Sequence, residues 1–575
     1  MSLELVSLQL ASLITHFIAL LTKLRLSKFK KYFEGFSPPS IQRVLDLIRT
    51  PSILALRRAT RSVCLAFKRS TDSRSPSETL TEKNTNLFLK HGLCFSGFFC
   101  LPSAKYWNDL AYDSLQKAIT REQTLNTNKA KNVVFFVGDG MGITTVTAAR
   151  ILTGQLEGDH REETDLECDK FPSVALSKTY NTSRQVPDLA GTATAYFSGV
   201  KTKTAVIGLD DSAFKEDCKS SLNANVESVM ISAQKSGKAT EFVSTARMTH
   251  ATPAALYAHS PHRDWECDSD IPQKETDIGC IDIAQQLITL GQDTQVQSAT
   301  LTQTSVCVHY SESGKDKTNS KYVWNLEQFK DVNPLETDNL LGLFEPSHMQ
   351  FEGNRMNDVG GEPSLSEMVE KAMEILQKDK DGFFLMVGGR IDHAHHDGLA
   401  YHALHDTIAM DKAVAKAMSM TNEMETLFIV TADHSHVLSI GGAADRGSPI
   451  LGLMNDGLPF TTLSYTNGPG GIEKLNSFKS TGSRRNLTDT NTGEAPIDYF
   501  DACPNIDSET HGGEDVTIYA NGPMSHLFHG VHEQHYIAHV VRYASGLNCH
   551  NGAPSTGPNS ILALLLFSFV RKFID

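Results

Sequence analysis

Three short apolar runs in this chain each end abruptly in Gly, Asp or His. Asn132-Val-Val-Phe-Phe-Val runs into Gly138-Asp-Gly-Met-Gly. Gly382-Phe-Phe-Leu-Met-Val runs into Gly-Gly-Arg-Ile-Asp392-His-Ala-His-His396. Thr426-Leu-Phe-Ile-Val runs into Thr-Ala-Asp433-His434-Ser-His436. Unbroken apolar runs of about four to eight residues are the signature of strands buried on both faces of a parallel sheet. Helical spacing follows at Thr144–Thr153 and recurs at Met368–Gln377, His402–Met418 and Gln534–Ser545. Strands alternating with helices predict a layered α/β fold. In open α/β sheets the site lies at the carboxyl ends of the strands, where these polar clusters fall.

The clustered residue types suit metal-assisted phosphate-ester hydrolysis. Such a reaction needs an activated nucleophile, stabilisation of the leaving oxygen and a grip on the phosphoryl oxygens. Two zinc ions ~4 Å apart supply the first two. Zinc takes imidazole nitrogen and carboxylate oxygen, and an Arg fork serves the third. The candidate ligands are Asp139, Asp392, His396, Asp433, His434 and His511. Asp392 and His396 are one helical turn apart, so one metal can take both. A lone Asp or His is more often solvated or structural than a ligand; three clusters at strand ends argue the other way.

Charge divides the chain. Residues 1–84 carry a net +8 and the remainder a net −22. An acidic body excludes nucleic acid as a partner, which requires a basic face. Leu87–Ala104 reads as a secretory signal cleaved near Ala104, and the residues before it as an extension; a membrane anchor at Leu3–Leu21 is the alternative. Cys218 and Cys280 flank a helix-like block and form the expected disulfide, with two buried thiols as the alternative. Asn181-Thr-Ser and Asn486-Leu-Thr are glycan acceptors in an exported chain. Near the end, small residues at 551–558 precede an apolar Ile561–Val570, the pattern of a lipid-anchor signal, against a packed terminal strand. Residues 441–507, rich in Gly, Ser, Asn, Thr and Pro, read as an inserted surface lobe. The expected organisation is therefore 1–104 extension and signal, 105–440 with 508–547 as core, 441–507 as lobe, and 548–575 as anchor signal.

The strings KNVVFFVGDGMGITTVTAARILTGQ, ALSKTYNTSRQVPD, ATPAALYAH, KYVWN, GLFEP, GGRIDHAHH, TADHSHV and ETHGGEDV together resemble the alkaline phosphatases, the animal membrane-anchored branch in particular. The resemblance runs from Tyr106 to about Cys549. It implies a three-layer α/β sandwich with a large, mostly parallel central sheet and an inserted crown lobe, and a homodimer acting on phosphate monoesters through a phosphoserine. It implies one zinc on Asp392, His396 and His511, a second on Asp139, Asp433 and His434, and magnesium on Asp139 and Thr252. Arg263 matches the Arg that grips phosphate. Phe344, Glu345 and Glu362 fall at positions of a calcium site. Extracellular, GPI-anchored localisation follows from the same resemblance.

Three departures set this chain apart. The nucleophilic Ser position, after Asp188, holds Leu189, which has no lone pair to attack phosphorus. Thr192 and Thr194 are expected to cap the helix that follows rather than to replace it. A Glu that ligates magnesium is missing between Val387 and Gly388, which weakens that site and threatens the strand register and the placement of Asp392. Residues 287–321 lack the family's Gly-rich strand. A catalytically impaired, metal- and phosphate-binding pseudophosphatase is the alternative to an active enzyme.

Overall fold

The computed structural model describes residues 125–547, apart from 159–161, 294–318, 456–458, 484–485 and 489–506, together with a few positions between 112 and 123. The extension and signal (1–104), the anchor segment (548–575) and residues 294–318 of the divergent stretch lie outside the described residues.

The three apolar runs are the centre of a seven-stranded sheet. Its strands are β1 (Asn132–Gly138), β2 (Ser173–Lys178), β3 (Ala239–Ser244), β4 (Phe383–Gly389), β5 (Thr426–Ala432), β6 (Val516–Asn521) and β7 (Gly530–Glu533). They lie in the order β7-β2-β6-β5-β1-β4-β3. Only β6 runs against the rest. Strand alternation sends Val133, Phe135 and Val137 to one face and Val134 and Phe136 to the other, and all are buried. The first set packs with α2 (Leu189–Ser198) and α6 (Tyr536–Ser545). The second packs with α3 (Leu365–Leu376) and α5 (Ala400–Ser419). Helices on both faces of one sheet make a three-layer α/β sandwich. Each fully buried Val or Phe stabilises it by roughly 1.5–3 kcal/mol.

Local signals set the helices. In α3, Leu365, Met368, Val369, Ala372, Met373 and Leu376 recur at three- and four-residue spacing and are buried. Its start is a capping box, in which Ser364 and Glu367 satisfy each other's backbone N–H groups. Cys218 and Cys280 are joined by a disulfide with their Cα atoms 5.8 Å apart.

The missing residue before Gly388 leaves no irregularity in β4. Val387, Gly388 and Gly389 pair in unbroken register with Phe136, Val137 and Gly138, and Val387 and Gly388 with Val243 and Ser244. The strand continues through the glycine pair without a bulge. Within 441–507, Leu453–Asn455 pairs with Pro459–Thr461, and Leu463–Tyr465 pairs with Leu438–Ile440. Ile450, Leu451, Leu463 and Tyr465 share an apolar cluster with Ala148, Ala149 and Leu152 of α1 (Ile143–Leu156) and with Leu404 and Ile408 of α5.

Candidate metal centre

The neighbouring strands β5, β1 and β4 end side by side, and their last residues hand over to the candidate ligands. Asp139 follows β1, Asp433 and His434 follow β5, and a short helix α4 (Ile391–His396) follows β4. Backbone bonds tie the three ends together. The Asp139 N–H donates to the Gly389 carbonyl (2.9 Å) and the Asp392 N–H to the Asp139 carbonyl (2.8 Å). The Gly140 N–H donates to Asp433 Oδ1 (2.9 Å). Gly140 has φ +71, and a Cβ there would lie 2.5 Å from the His436 ring, so both conformation and space demand glycine. His511 arrives on a two-residue strand paired antiparallel with Ser435–His436.

Two groups of lone pairs converge. The ring nitrogen His396 Nδ1 meets the Glu509 carbonyl oxygen, and His511 Nδ1 meets that of Pro187 at 2.8 Å. A carbonyl only accepts, so both protons sit on Nδ1 and both Nε2 atoms carry lone pairs. Those Nε2 atoms are 3.1 Å apart, and Asp392 Oδ1 lies 3.3 Å from one and 3.2 Å from the other. Three acceptors facing one point repel unless a cation stands among them. The second group is Asp139, Asp433 and His434. His434 Nδ1 faces the Ser435 carbonyl (3.1 Å), which again leaves Nε2 with a lone pair. That atom lies 3.4 Å from Asp433 Oδ2 and 3.7 Å from Asp139 Oδ1. His434 Nε2, Asp433 Oδ2 and both Asp139 oxygens are buried without a hydrogen-bond partner. Each such orphan costs about 1–3 kcal/mol, and the imidazole and carboxylate donors fit a zinc-like cation.

Electrostatics agree with the geometry. Burial, then the neighbouring Asp392 and Asp433, push the Asp139 carboxyl well above its ordinary range. Burial pushes Asp433 up to about 6. Burial would raise Asp392 too, but the imidazoles of His396, His436 and His511 that face it hold it well below the usual carboxylate range while no cation is bound.

Position 189 is fixed against this centre from both sides. Asp188 caps α2: its Oδ1 accepts the Gly191 N–H (3.2 Å) and the Asn181 amide (2.8 Å). Its Oδ2 accepts the Ala205 N–H (2.9 Å) and lies 3.4 Å from Arg263 Nη1. The residue before it, Pro187, holds His511. Leu189 is the first residue of α2, buried, and part of the apolar cluster on that face of the sheet. Thr192 and Thr194 lie inside α2 and do not cap it. Their hydroxyls donate to the carbonyls of Asp188 (3.0 Å) and Ala190 (2.9 Å), one helical turn back. The expectation of a Thr cap fails because Asp188 already accepts the first-turn N–H. A second correction concerns Asn181: it is buried against Asp188 and close to Gly191, so its amide cannot carry a glycan in this fold.

The remaining expected residues are spread around the centre. Thr252 is buried on the turn Ala251–Ala254, beside the Tyr196 hydroxyl. Glu345 and Glu362 lie together, and burial with the Glu345 charge pushes Glu362 up to about 8. Phe344 packs its ring on Phe329.

Sequence reading missed four histidines and one glutamate. His436 Nε2 lies 2.8 Å from Asp392 Oδ1, and its Nδ1 meets Glu509 Oε2. Glu509 also accepts the Val437 N–H (2.8 Å). The signal for His436 was its place two residues beyond His434, on a strand whose alternate side chains share a face. His250, His348 and His393 form a further cluster.

Buried carboxylates and imidazoles converging at the carboxyl ends of parallel strands define a metal-dependent α/β hydrolase. The family model for alkaline phosphatase matches residues 130–547. The tissue-nonspecific alkaline phosphatase of Felis catus is 45% identical over 80% of this chain and 94% of its own. The Homo sapiens isozyme is 44% identical over 80% and 92%, and the alkaline phosphatase of Gadus morhua 44% over 77% and 97%. The Thermus thermophilus alkaline phosphatase shares the fold with a TM-score of 0.53 at 21% identity, over 75% of this chain and 95% of that one. The chain belongs to the alkaline phosphatase family, whose members are metal-dependent phosphoric monoester hydrolases.

Proposed function

We propose that this chain loads two zinc ions and binds phosphate monoesters as its family does, with turnover impaired at Leu189. The convergence of Nε2 and carboxylate lone pairs around two points carries the reading. Asp392, His396 and His511 hold one ion; Asp139, Asp433 and His434 hold the other. When bound, such a pair polarises the attacking and leaving oxygens of a phosphate ester. Arg263 presents its guanidinium fork beside Asp188 and grips the phosphoryl oxygens. Leu189 offers no nucleophile and fills its place with an apolar side chain, so the phosphoserine route is closed.

Zinc-loaded protein is expected to bind inorganic phosphate by titration calorimetry. Arg263→Ala removes a charge-assisted contact of about 1.5–3 kcal/mol, a loss of roughly ten- to hundredfold in affinity. Zinc-loaded wild type with no measurable phosphate binding would overturn the reading.

Magnesium on Asp139 and Thr252 is weakened in this chain. Gly388 and Gly389 follow Val387 directly where the Glu is missing, and neither has a side chain to offer a ligand atom. Calcium on Glu345 and Glu362, with Phe344, relieves the repulsion of that carboxylate pair. Export is supported by the Cys218–Cys280 disulfide, since disulfides persist in oxidising compartments. Among the described residues no helix is long and apolar enough to cross a membrane, and the carboxyl-terminal pattern supports a GPI anchor on the extracellular face. A homodimer follows from the family resemblance. Of the two acceptor triplets, Asn486 is exposed. Mass spectrometry of secreted protein is expected to find glycan there and an unmodified Asn181; glycan on Asn181 would contradict the fold around α2.

A further inference from the structure

We propose that Glu509 is a positioning residue for the ion held by Asp392, His396 and His511, and for that ion rather than its neighbour. The inference deepens the two-ion reading above and rests on it. Glu509 lies two residues before His511, and its side chain is fully buried. Every polar group it owns is committed. Its N–H donates to the His396 carbonyl (2.8 Å), and its carbonyl faces His396 Nδ1. Its Oε1 accepts the Val437 N–H (2.8 Å), and its Oε2 meets His436 Nδ1.

These contacts reach all three ligands of one ion. The backbone pair grips His396 at the end of α4 and turns its Nδ1 inward, which leaves Nε2 for the metal. The side chain orients the His436 ring, whose Nε2 lies 2.8 Å from Asp392 Oδ1. His511 is carried on the strand that pairs with Ser435–His436. Glu509, His396 and His436 also bring ligand-type atoms close together. That group offers no open lone pair, because both Nδ1 atoms already face Glu509 oxygens. The other ion's candidates are held elsewhere. Asp433 Oδ1 accepts the Gly140 N–H (2.9 Å), its carbonyl accepts from Gln534 Nε2 (2.8 Å), and His434 Nδ1 faces the Ser435 carbonyl.

The 441–507 segment fixes the backbone from which Glu509 works. The Thr510 N–H donates to Asn467 Oδ1 (3.1 Å), and Asn467 Nδ2 donates to Thr510 Oγ1 (2.9 Å). Gly468 has φ +135, and a Cβ there would lie 3.1 Å from Glu509 Cβ, so the chain passes close against this residue. A carboxylate suits the place because it accepts at both oxygens, one for Val437 and one for His436. Partners of this kind behind metal ligands fix ring orientation, and losing one costs about 10- to 100-fold in metal affinity.

The test is zinc titration of the stripped full chain against a chromophoric chelator, which resolves the two dissociation constants. Glu509→Ala is expected to weaken one ion about ten- to hundredfold and to leave the other unchanged. Combined with Asp433→Ala, which removes the other ion, it should weaken the ion that remains. Glu509→Gln keeps the length and a polar group toward both partners, and is expected to keep both constants. If circular dichroism shows Glu509→Ala misfolded, Glu509→Asp replaces it. That variant keeps the charge but withdraws the oxygens from His436 by one methylene, and should weaken the same ion. A merely structural role would weaken both ions together with the melting temperature. That result, or two unchanged constants in a folded Ala or Asp variant, would overturn the proposal. Failure of the two-ion reading shows in wild type, as fewer than two bound ions; failure of the Glu509 assignment shows only in the variants.

Discussion

Leu189→Ser is expected to raise hydrolysis of p-nitrophenyl phosphate by about a thousandfold or more while lowering the melting temperature. Both effects come from one side chain. Position 189 opens α2 between Asp188, which faces Arg263, and Pro187, whose carbonyl faces His511 Nδ1 at 2.8 Å. A serine there gains the hydroxyl that the site lacks. Losing a nucleophile in a hydrolase costs up to ~10⁶ in kcat, and restoring one in an otherwise intact site recovers a large part of that. The present leucine is buried in the cluster that contains Ala193, Phe197 and Phe135. Replacing it by a smaller polar residue leaves a cavity, and large-to-small core changes cost about 2–5 kcal/mol. Gain of rate against loss of stability distinguishes a restored nucleophile from general tightening of the fold. Acid quenching should trap phosphoserine only in the variant. Equal rates in the two proteins, with both folded and zinc-loaded, would remove position 189 from the chemistry.

The central sheet was legible because strands buried on both faces have no polar alternation to obscure them. Runs ending in Asp139, Asp392 and Asp433 marked β1, β4 and β5 and put the polar clusters at their carboxyl ends. At Gly388 the ladder runs on unbroken, because two glycines continue a strand without side chains to mis-seat. Other parts depend on contacts distant in sequence. His348 and His250 meet across 98 residues, and neither carries a local sign of that meeting. Glu509 reads as one acid in an acidic stretch, yet its side chain reaches His436 while its carbonyl meets His396 Nδ1. Thr192 and Thr194 misled because a threonine near a helix start suits either a cap or a bond to the carbonyl one turn back; Asp188 decided between them. Asn181 carries a glycan triplet, and only the fold shows its amide turned inward.

Removing the metals is expected to destabilise the protein, and more strongly as pH rises. Two ions bound at about a thousand times their dissociation constants each add ~4 kcal/mol to the folded state. Stripping them leaves the site's own charges to decide. Asp139 and Asp433 have folded values above the ordinary carboxylate range, so their contribution is present at acid pH. It is lost as pH rises through the folded value, about 6 for Asp433. For His436, burial acts to lower the value, but the Asp392 and Glu509 carboxylates raise it to about 9. Its contribution is present below about 6.5 and is lost as pH rises toward 9. Each of Asp433 and His436 accounts for on the order of 3 kcal/mol across its window. Asp392 behaves oppositely: its depressed value contributes stability above the ordinary carboxylate range and loses it only in acid. Between pH 5 and pH 9 the stripped protein should therefore melt progressively earlier, while bound cations neutralise Asp139 and Asp433 in the loaded protein. The gap between the two melting temperatures is expected to exceed ~10 °C at pH 9 and to shrink toward pH 5. Scanning calorimetry with and without a chelator measures it. Parallel curves across that range would mean that these carboxylates and imidazoles do not face bound cations.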